Sequence, residues 1–410
     1  MTSRQTIVSI TGLGLITPAG VGREPTWEGI LRGRSAAVTD PELKGCPVDF
    51  SCRIPAMTPE QARIGGGKAW RMGHFSRLAV LAAREAVADA GLDPARWDGA
   101  RVAVVIGSGL AGAAHLEEQT LRHHQGGPEL VSPALVPMLI PNMAAGEVLL
   151  DLGAHGPSLA TETACASGAS ALATARQLLL AGLCDIAVAG GAEAAVTPVI
   201  TSGFQRMGAL SARTGDPGAA SRPFAADRDG FVIAEGAAVL VLEREADARA
   251  RGRRAYARLA GVGLSSDAHH PTAPAPGGVH AEVALRAALA EAGLHAADID
   301  HVNAHGTSTP LNDLTEAELI GRVLPHRPSV TAPKGVLGHS LGAAGAIEAA
   351  LTALTIHRST VPPIANLTAD DLPFDLDCVT DLPRTQRVRA AVSHSFGFGG
   401  HNVVLLLTED

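Results

Sequence analysis

Short, continuously apolar segments alternate with alanine- and leucine-rich helical segments along the chain, and this alternation constrains the fold most. Predicted strands that lack a polar face include residues 101–106, 186–190, 237–243, 256–263 and 403–407. The clearest predicted helices are residues 75–90, 168–181, 280–292 and 343–357. Because a strand that is apolar on both faces must be covered on both sides, the sequence predicts a layered α/β fold.

The composition indicates a globular protein with a large aliphatic core. Of 410 residues, 46% are hydrophobic but only 3% are aromatic, so packing depends on small aliphatic side chains and on the close backbone approach that 46 glycines allow. The formal net charge is -8, and the longest basic cluster, residues 249–254, lies among Ala and Glu. We therefore expect no nucleic-acid partner.

Targeting and membrane signals are not evident. The N-terminal segment lacks the apolar core and the cleavage site of a signal peptide, so a cytoplasmic protein is expected. The uncharged segment 130–146 contains three prolines and is too short for a membrane span. We predict a buried loop there and no membrane association.

Neither a disulfide framework nor a bound cofactor is expected. The five cysteines, an odd number without paired metal-ligand spacing, are Cys46, Cys52, Cys165, Cys184 and Cys378. The pair His269 and His270 has no third ligand at a suitable spacing, so no metal is expected. The glycine-rich segment 106–112 lacks a convincing ribose-binding acid downstream, which argues against a dinucleotide.

One cysteine stands among very small residues, in the segment TETACASGAS at residues 161–170. Cys165 precedes the predicted helix 168–181, where free N–H groups and the helix dipole would lower the thiol pKa. Small neighbours would let a substrate carbonyl approach the sulfur. Cys165 is therefore a candidate nucleophile, and the alternative is a small buried hydrophobic residue in a tight helix entry.

Two histidines support the catalytic interpretation. His305 follows a predicted strand and precedes a glycine turn, and His339 lies in GVLGHSLG at the start of another predicted helix. A helix N-terminus disfavours imidazolium, so His339 should remain neutral. With Cys165 they form a candidate set of one nucleophile and two acid/base or electrostatic groups.

A weak internal repeat relates two parts of the chain. Residues 158–185 and 330–359 both show a strand, a turn of small residues, and an Ala/Leu helix. Two similar halves would place Cys165 and His339 at matching helix starts, facing each other across a pseudo-dyad.

Four motifs in register identify a family resemblance. The segments TACASG, NAHGTSTPLND, KGVLGHSLGAAG and SFGFGGHN begin at residues 163, 303, 334 and 395. They resemble, in order and spacing, the elongating β-ketoacyl-acyl-carrier-protein synthases of type II fatty acid synthesis. The resemblance covers essentially the whole chain and implies a thiolase-like α/β fold of five layers, α-β-α-β-α, built from two duplicated halves. Residues 1–250 would carry the nucleophile and residues 251–410 the two histidines.

The resemblance also implies the reaction and the catalytic roles. Cys165 would accept an acyl group from a pantetheine thioester. His305 and His339 would promote decarboxylation of a malonyl thioester, and the enolate would attack the acyl-cysteine to give a β-ketoacyl product. Lys334 would order and polarise the histidine region. Glu348 is predicted as a substrate-binding position and as the partner of Lys334.

Further positions follow from the same resemblance. The N–H groups of Cys165 and Phe398 would form an oxyanion hole, and Phe398 would gate access between the two half-reactions. Thr272, Thr307 and Thr309 match positions that hydrogen-bond the pantetheine arm, and Leu110 matches the residue that closes the acyl pocket. No cofactor is implied, because the substrates are carried on the phosphopantetheine of an acyl carrier protein.

The implied partners are this carrier protein and a second subunit, either an identical copy or a chain-length-factor-like chain. Where the family often has a basic run, this sequence reads KAWRMGH from Lys68. Lys68, Arg71 and Arg206 are the candidate docking residues that remain.

Three functions could use a reactive cysteine together with a histidine in this chain. An elongating synthase is favoured because a thiolase would use a second catalytic cysteine, and an initiating synthase an asparagine in place of the second histidine. A ketosynthase subunit of a type II polyketide synthase, working with a chain-length-factor partner, is the alternative with the same chemistry. A cysteine hydrolase would use Cys165 and one histidine, and it leaves His339, Lys334 and the pantetheine threonines unexplained.

Overall fold

The computed structural model describes residues 6–65 and 69–410. The strands of this described part are β1 Val8–Thr17, β2 Gly20–Val21, β3 Val38–Thr39, β4 Phe50–Ser51, β5 Val102–Gly107, β6 Ser158–Thr161, β7 Ile186–Glu193, β8 Gly236–Arg244, β9 Ala257–Ser266, β10 His301–Asn303, β11 Ser329–Thr331, β12 Thr360–Val361, β13 Asp377–Cys378, β14 Arg384–Thr385, β15 Ala390–Gly397 and β16 His401–Thr408. Its α-helices are α1 Arg23–Leu31, α2 His74–Asp89, α3 Ala113–Gly126, α4 Leu135–Leu139, α5 Met143–Leu152, α6 Ser167–Leu180, α7 Pro198–Arg206, α8 Glu245–Ala250, α9 Val279–Ala292, α10 Pro310–Val323, α11 Lys334–Leu337 and α12 Ala344–Arg358.

The same strand order occurs twice. The first half has the order β6-β5-β7-β8-β1, and the second has β11-β10-β15-β16-β9 with β13 added at the edge. In each half the first two pairings are parallel and the next two antiparallel. A short antiparallel contact between β1 and β9 joins the halves. The duplication that the weak sequence repeat indicated is therefore confirmed.

Five layers result from the way the helices cover these strands. Helices α6 and α12 are packed in one core cluster with residues of both halves of the sheet. Helices α2 and α5 cover the other face of the first half, and α9 and α10 cover that of the second. The arrangement is the predicted α-β-α-β-α fold, with nearly every residue of α12 buried.

Small residues explain the close contact of the two central helices. A Cβ at Gly168 in α6 would lie 2.8 Å from the backbone nitrogen of Ala346, and one at Gly345 would lie 2.8 Å from the Cβ of Ala169. Contacts below 3 Å cannot be accommodated by backbone atoms, so glycine is required where α6 and α12 meet. This contact brings together the turns that precede the two helices, which carry Cys165 and His339.

The predicted helices agree with the structure to within one or two residues at each end, but the predicted buried loop at residues 130–146 is wrong. That segment contains α4 and the start of α5. Leu130 and Val136 are 52% and 62% exposed. Pro137 is accommodated because it occupies the first turn of α4, where an N–H group has no partner within the helix.

No helix within residues 6–65 and 69–410 is both long enough and apolar enough to cross a lipid bilayer. All five cysteines are free thiols.

Candidate active site

A cavity of about 360 Å³ lies between the two halves of the fold. The predicted site residues that line it are Cys165, His305, His339, Phe398, Thr272, Thr307 and Thr309. Lys334 and Glu348 are buried behind the histidines, and Leu110 lies in the packing around Cys165 rather than on the cavity wall. The structure thus brings together residues that are far apart in the sequence: Cys165 and Phe398 are separated by 233 positions.

Cys165 lies in a tight turn that delivers it to the start of α6. It is the central residue of a single 3-10 turn, Ala164–Ala166, and Ala164 before it has a φ of 50°, in the left-handed region that non-glycine residues rarely adopt. The neighbouring strand end approaches closely, since a Cβ at Gly397 would lie 2.3 Å from the Thr163 carbonyl oxygen. Cys165 is 8% exposed as a residue and lines the cavity.

The Cys165 thiol is less acidic than its place at a helix start suggests. Burial raises its pKa to about 11, while the Lys334 ammonium and the N–H groups of Phe398 and Cys165, which are hydrogen-bonded to the sulfur, act in the opposite direction. The Glu193 carboxylate raises it further. The prediction of a lowered pKa is therefore wrong, because removal from water outweighs the local helix field. In the free protein Cys165 is a neutral thiol at neutral pH.

The two cavity histidines lie edge to face. The ring centroids of His305 and His339 are 5.5 Å apart with an interplanar angle of 86°, and Phe231 packs against His339 at 5.2 Å. Burial, followed by the nearby Lys334 ammonium, holds both pKa values well below the ordinary range. Both rings are therefore neutral, as predicted for His339, although burial is the main cause rather than the helix start.

Lys334 determines which nitrogen of His305 carries the proton. The Lys334 ammonium donates to the His305 carbonyl oxygen at 2.7 Å and to its Nδ1 at 3.3 Å, and it forms an ion pair with Glu348. An ammonium group can only donate, so Nδ1 of His305 accepts and Nε2 bears the hydrogen. His305 can thus donate a hydrogen bond from Nε2. The predicted pairing of Lys334 with Glu348 is confirmed by this contact.

Two buried residues that sequence reasoning missed hold the His305 loop. The Glu316 carboxylate, in α10, accepts hydrogen bonds from the N–H groups of His305 and Gly306, both at 2.8 Å. It also contacts Nδ1 of His394 at 3.0 Å. A glutamate inside a helix carries no local signal of this role. A buried carboxylate that receives several N–H groups fixes the backbone, and hence the direction of the imidazole.

The polar wall of the cavity includes the three predicted pantetheine threonines. The hydroxyl groups of Thr307 and Thr309 are 2.8 Å apart. Nδ1 of His270 accepts from the N–H groups of Thr272 and Ala273 at 3.1 and 3.0 Å. His270 therefore shapes the loop that presents Thr272.

Phe398 is half-buried in the glycine loop opposite Cys165. Its ring lies 6.5 Å from that of Phe204, which contacts Phe231 at 5.3 Å. Gly399 and Gly400 after it have φ values of 86° and 77°, which favour glycine. The conformation of this loop therefore requires glycine at positions 399 and 400.

The candidate docking residues differ in their surroundings. Lys68 lies outside the described residues. Arg71 is engaged by the buried Glu147 carboxylate at 3.1 Å, whereas Arg206 is exposed at the end of α7.

The repeated halves, with the candidate nucleophile in one and both imidazoles in the other, define a condensing enzyme of thiolase-like fold. Comparison with known proteins then shows the family. The family models for the N-terminal and C-terminal domains of β-ketoacyl synthases match residues 5–248 and 256–368. The chain belongs to the β-ketoacyl synthase family.

Curated and solved relatives extend over nearly the whole chain. A "3-oxoacyl-[acyl-carrier-protein] synthase 2" of Synechocystis is 40% identical over 404 residues, which is 97% of either chain. The ishigamide ketosynthase/chain length factor superposes with a TM-score of 0.90 at 34% identity, over 99% of this chain and 100% of that one. A type II polyketide ketosynthase, solved in complex with its acyl-carrier protein and bound to the hexaketide, superposes with a TM-score of 0.91 at 31% identity and the same coverage.

Proposed function

We propose that the protein catalyses the decarboxylative Claisen condensation of an acyl group with malonyl-acyl-carrier-protein, giving β-ketoacyl-acyl-carrier-protein in fatty acid chain elongation. The observation that carries this proposal is the convergence of Cys165, His305 and His339 on one cavity. The N-terminal half, residues 1–250, supplies the nucleophile, and the C-terminal half, residues 251–410, supplies both imidazoles.

In the first half-reaction the Cys165 sulfur attacks the acyl thioester. A carbon–sulfur bond forms to Cys165, the bond to the pantetheine sulfur breaks, and the thiol proton passes to the departing pantetheine thiolate. The N–H groups of Cys165 and Phe398, which are hydrogen-bonded to the sulfur in the free protein, stabilise the oxyanion of the tetrahedral intermediate in this proposal. Because the free thiol has a pKa of about 11, the proton must leave as the bond forms.

In the second half-reaction a malonyl thioester replaces the departed carrier. Loss of carbon dioxide leaves an enolate, whose oxygen is stabilised by hydrogen bonds from the neutral imidazoles of His305 and His339. The enolate carbon then attacks the acyl-cysteine, a carbon–carbon bond forms as the carbon–sulfur bond to Cys165 breaks, and the departing Cys165 thiolate takes up a proton from solvent. Neutral rings suit this role because they donate a hydrogen bond without placing a buried positive charge beside Lys334.

The partners and the location belong to the same proposal. An acyl carrier protein delivers both substrates on phosphopantetheine, and the threonine hydroxyls on the cavity wall are suited to a polar, extended arm. Thr272, Thr307 and Thr309 contact that arm, and Leu110, which packs with Cys165 behind the cavity wall, closes the space beyond the acyl chain. A second subunit, identical or chain-length-factor-like, and a cytoplasmic setting complete the proposal.

A ketosynthase of a type II polyketide synthase remains the second candidate. It is favoured by the fold similarity to the ishigamide ketosynthase/chain length factor, at 34% identity. The higher identity to the 3-oxoacyl-carrier-protein synthase favours chain elongation in fatty acid synthesis. A cysteine hydrolase is disfavoured because it has no use for the second buried imidazole or for Lys334.

The test is a product assay with the purified protein, an acyl-carrier-protein thioester and a malonyl-carrier-protein thioester. We expect a carrier-bound ketoacyl product that is two carbons longer, with release of carbon dioxide. Release of free acid without condensation would instead support a hydrolase. Condensation that requires an added chain-length-factor subunit would support the polyketide alternative.

A further inference from the structure

Glu193 is a fully buried carboxylate at the end of β7 that has no part in the reaction described above. Its oxygens accept hydrogen bonds from the N–H groups of Gly109 at 2.6 Å, Leu110 at 3.2 Å and Gly342 at 3.2 Å. The Ser108 hydroxyl donates a fourth at 3.1 Å. Four donors therefore point at the two oxygens of one carboxylate. A carboxylate that accepts this many hydrogen bonds holds the segments that carry the donors.

These donors come from both halves of the fold. The loop at residues 108–110 follows β5 of the first half. The equivalent strand of the second half is β10, which precedes His305. Gly342 is three residues after His339, in the turn that leads into α12. Leu110 itself packs with Cys165 in one apolar cluster. One carboxylate therefore joins the backbone beside the nucleophile to the backbone beside an imidazole.

The space around Glu193 is closed by backbone. A Cβ at Gly342 would lie 2.2 Å from the nitrogen of Gly109 and 2.8 Å from a Glu193 oxygen. A Cβ at Gly109 would lie 3.1 Å from the same carboxylate. The two segments meet across the carboxylate, so moving either one changes the other.

The charge of Glu193 works against the nucleophile. It raises the pKa of the Cys165 thiol, whereas the Lys334 ammonium and the backbone N–H groups lower it, and the facing rings of His305 and His339 are neutral. Burial raises the pKa of Glu193 itself to about 7, so above that pH its charge makes the free thiol less reactive. Its benefit must therefore come from the geometry that it imposes.

We propose that Glu193 is a positioning residue that fixes the loop at residues 108–110 and the turn after His339 in one arrangement, so that the acyl group on Cys165 and the imidazole of His339 are aligned. The consequence for catalysis rests on the proposed function. The mechanical link between the two segments does not.

The test compares Glu193→Gln with Glu243→Gln. In Glu193→Gln the NH₂ group replaces either Oε2, the acceptor for the N–H groups of Gly109, Leu110 and Gly342, or Oε1, which lies 3.3 Å from the Leu110 N–H. In either orientation the remaining oxygen belongs to a neutral amide and accepts more weakly than a carboxylate, so the hold on both segments is weakened. Glu243 is an equally buried carboxylate on the adjacent strand β8, held by Arg251 and remote from the cavity. We expect amide hydrogen exchange to accelerate together at residues 108–110 and 340–343 in Glu193→Gln only.

Two further readouts separate positioning from general destabilisation. At about pH 8.5, above the pKa of about 7 to which burial raises Glu193 and below the thiol pKa, Cys165 in Glu193→Gln should be alkylated faster by iodoacetamide than in the native protein, because a negative charge that disfavours the thiolate is gone. Condensation should fall by about 10- to 100-fold, because small misplacements of reacting groups cost about that much. A more reactive thiol in a slower enzyme is the signature of a positioning role.

Several outcomes would overturn the proposal: unchanged exchange at the two segments, acceleration in only one of them, or slower alkylation. If Glu193→Gln does not fold, Ser108→Ala removes one donor and should produce a smaller, still simultaneous, increase at both segments. Exchange and alkylation need no acyl substrate, so they decide this proposal even if native protein fails to condense, which would contradict the proposed function alone.

Discussion

The Cys165→Ala variant is expected to lose condensation by more than about 10⁴-fold, because Cys165 is the one thiol among the described residues that line the cavity. Decarboxylation of the malonyl thioester should persist at a measurable rate, since the His305 and His339 donors that stabilise the enolate remain. The measurement is product formation and carbon dioxide release by the same preparation.

A matched control for this variant is Cys184→Ala, which removes a buried thiol at the junction between α6 and β7. It should retain condensation, although burial also raises the pKa of Cys184 to about 11. A Cys165→Ala protein that condenses at close to the native rate would contradict the assignment of the nucleophile.

The His305→Ala and His339→Ala variants are each expected to lower malonyl decarboxylation by about 10²- to 10³-fold, the usual cost of removing one oxyanion donor. Acyl transfer to Cys165 should fall much less, because its oxyanion is stabilised by backbone N–H groups. The contrast between the two half-reactions is therefore the diagnostic result. It is measured by carbon dioxide release and by mass of the acylated protein.

His301→Ala serves as the control, since His301 is a buried imidazole on β10 that contacts Ser329 and does not line the cavity. The native enzyme gives a second check. Because the pKa values of His305 and His339 lie well below the ordinary value, neither imidazole should become protonated as the pH falls through 6.5. Burial raises the pKa values of Glu193 and Glu348 to about 7, so only a loss of decarboxylation rate that persists in both Glu193→Gln and Glu348→Gln would mean that a catalytic imidazole titrates there.

The layers and the duplicated halves could be predicted because their signals are local. Apolar strands and Ala/Leu helices repeat within short segments, and the turns at Cys165 and His339 each precede a helix in the chain itself. The resemblance then placed His305, Lys334 and Phe398 around them. The assignments that the structure supports best are those carried by short motifs.

The remaining features depend on contacts between distant segments. Glu193 receives the N–H of Gly342, which is 149 residues away, and Glu316 meets His394 across 78 residues. No short motif marks such carboxylates. The direction of the Cys165 pKa shift was wrongly predicted for a related reason. The sequence indicates that Cys165 precedes a helix, which lowers a thiol pKa, but it does not indicate how deeply the thiol is buried, which raises it.

The most direct test of the account is to map the acyl group after incubation with an acyl-carrier-protein thioester in the absence of any malonyl substrate. Peptide mass spectrometry should find one acyl adduct, on the peptide that contains Cys165, and subsequent addition of malonyl-carrier-protein should remove it as the elongated product forms. An adduct on another residue, or elongation without any adduct on Cys165, would contradict the central claim that this thiol carries the chain.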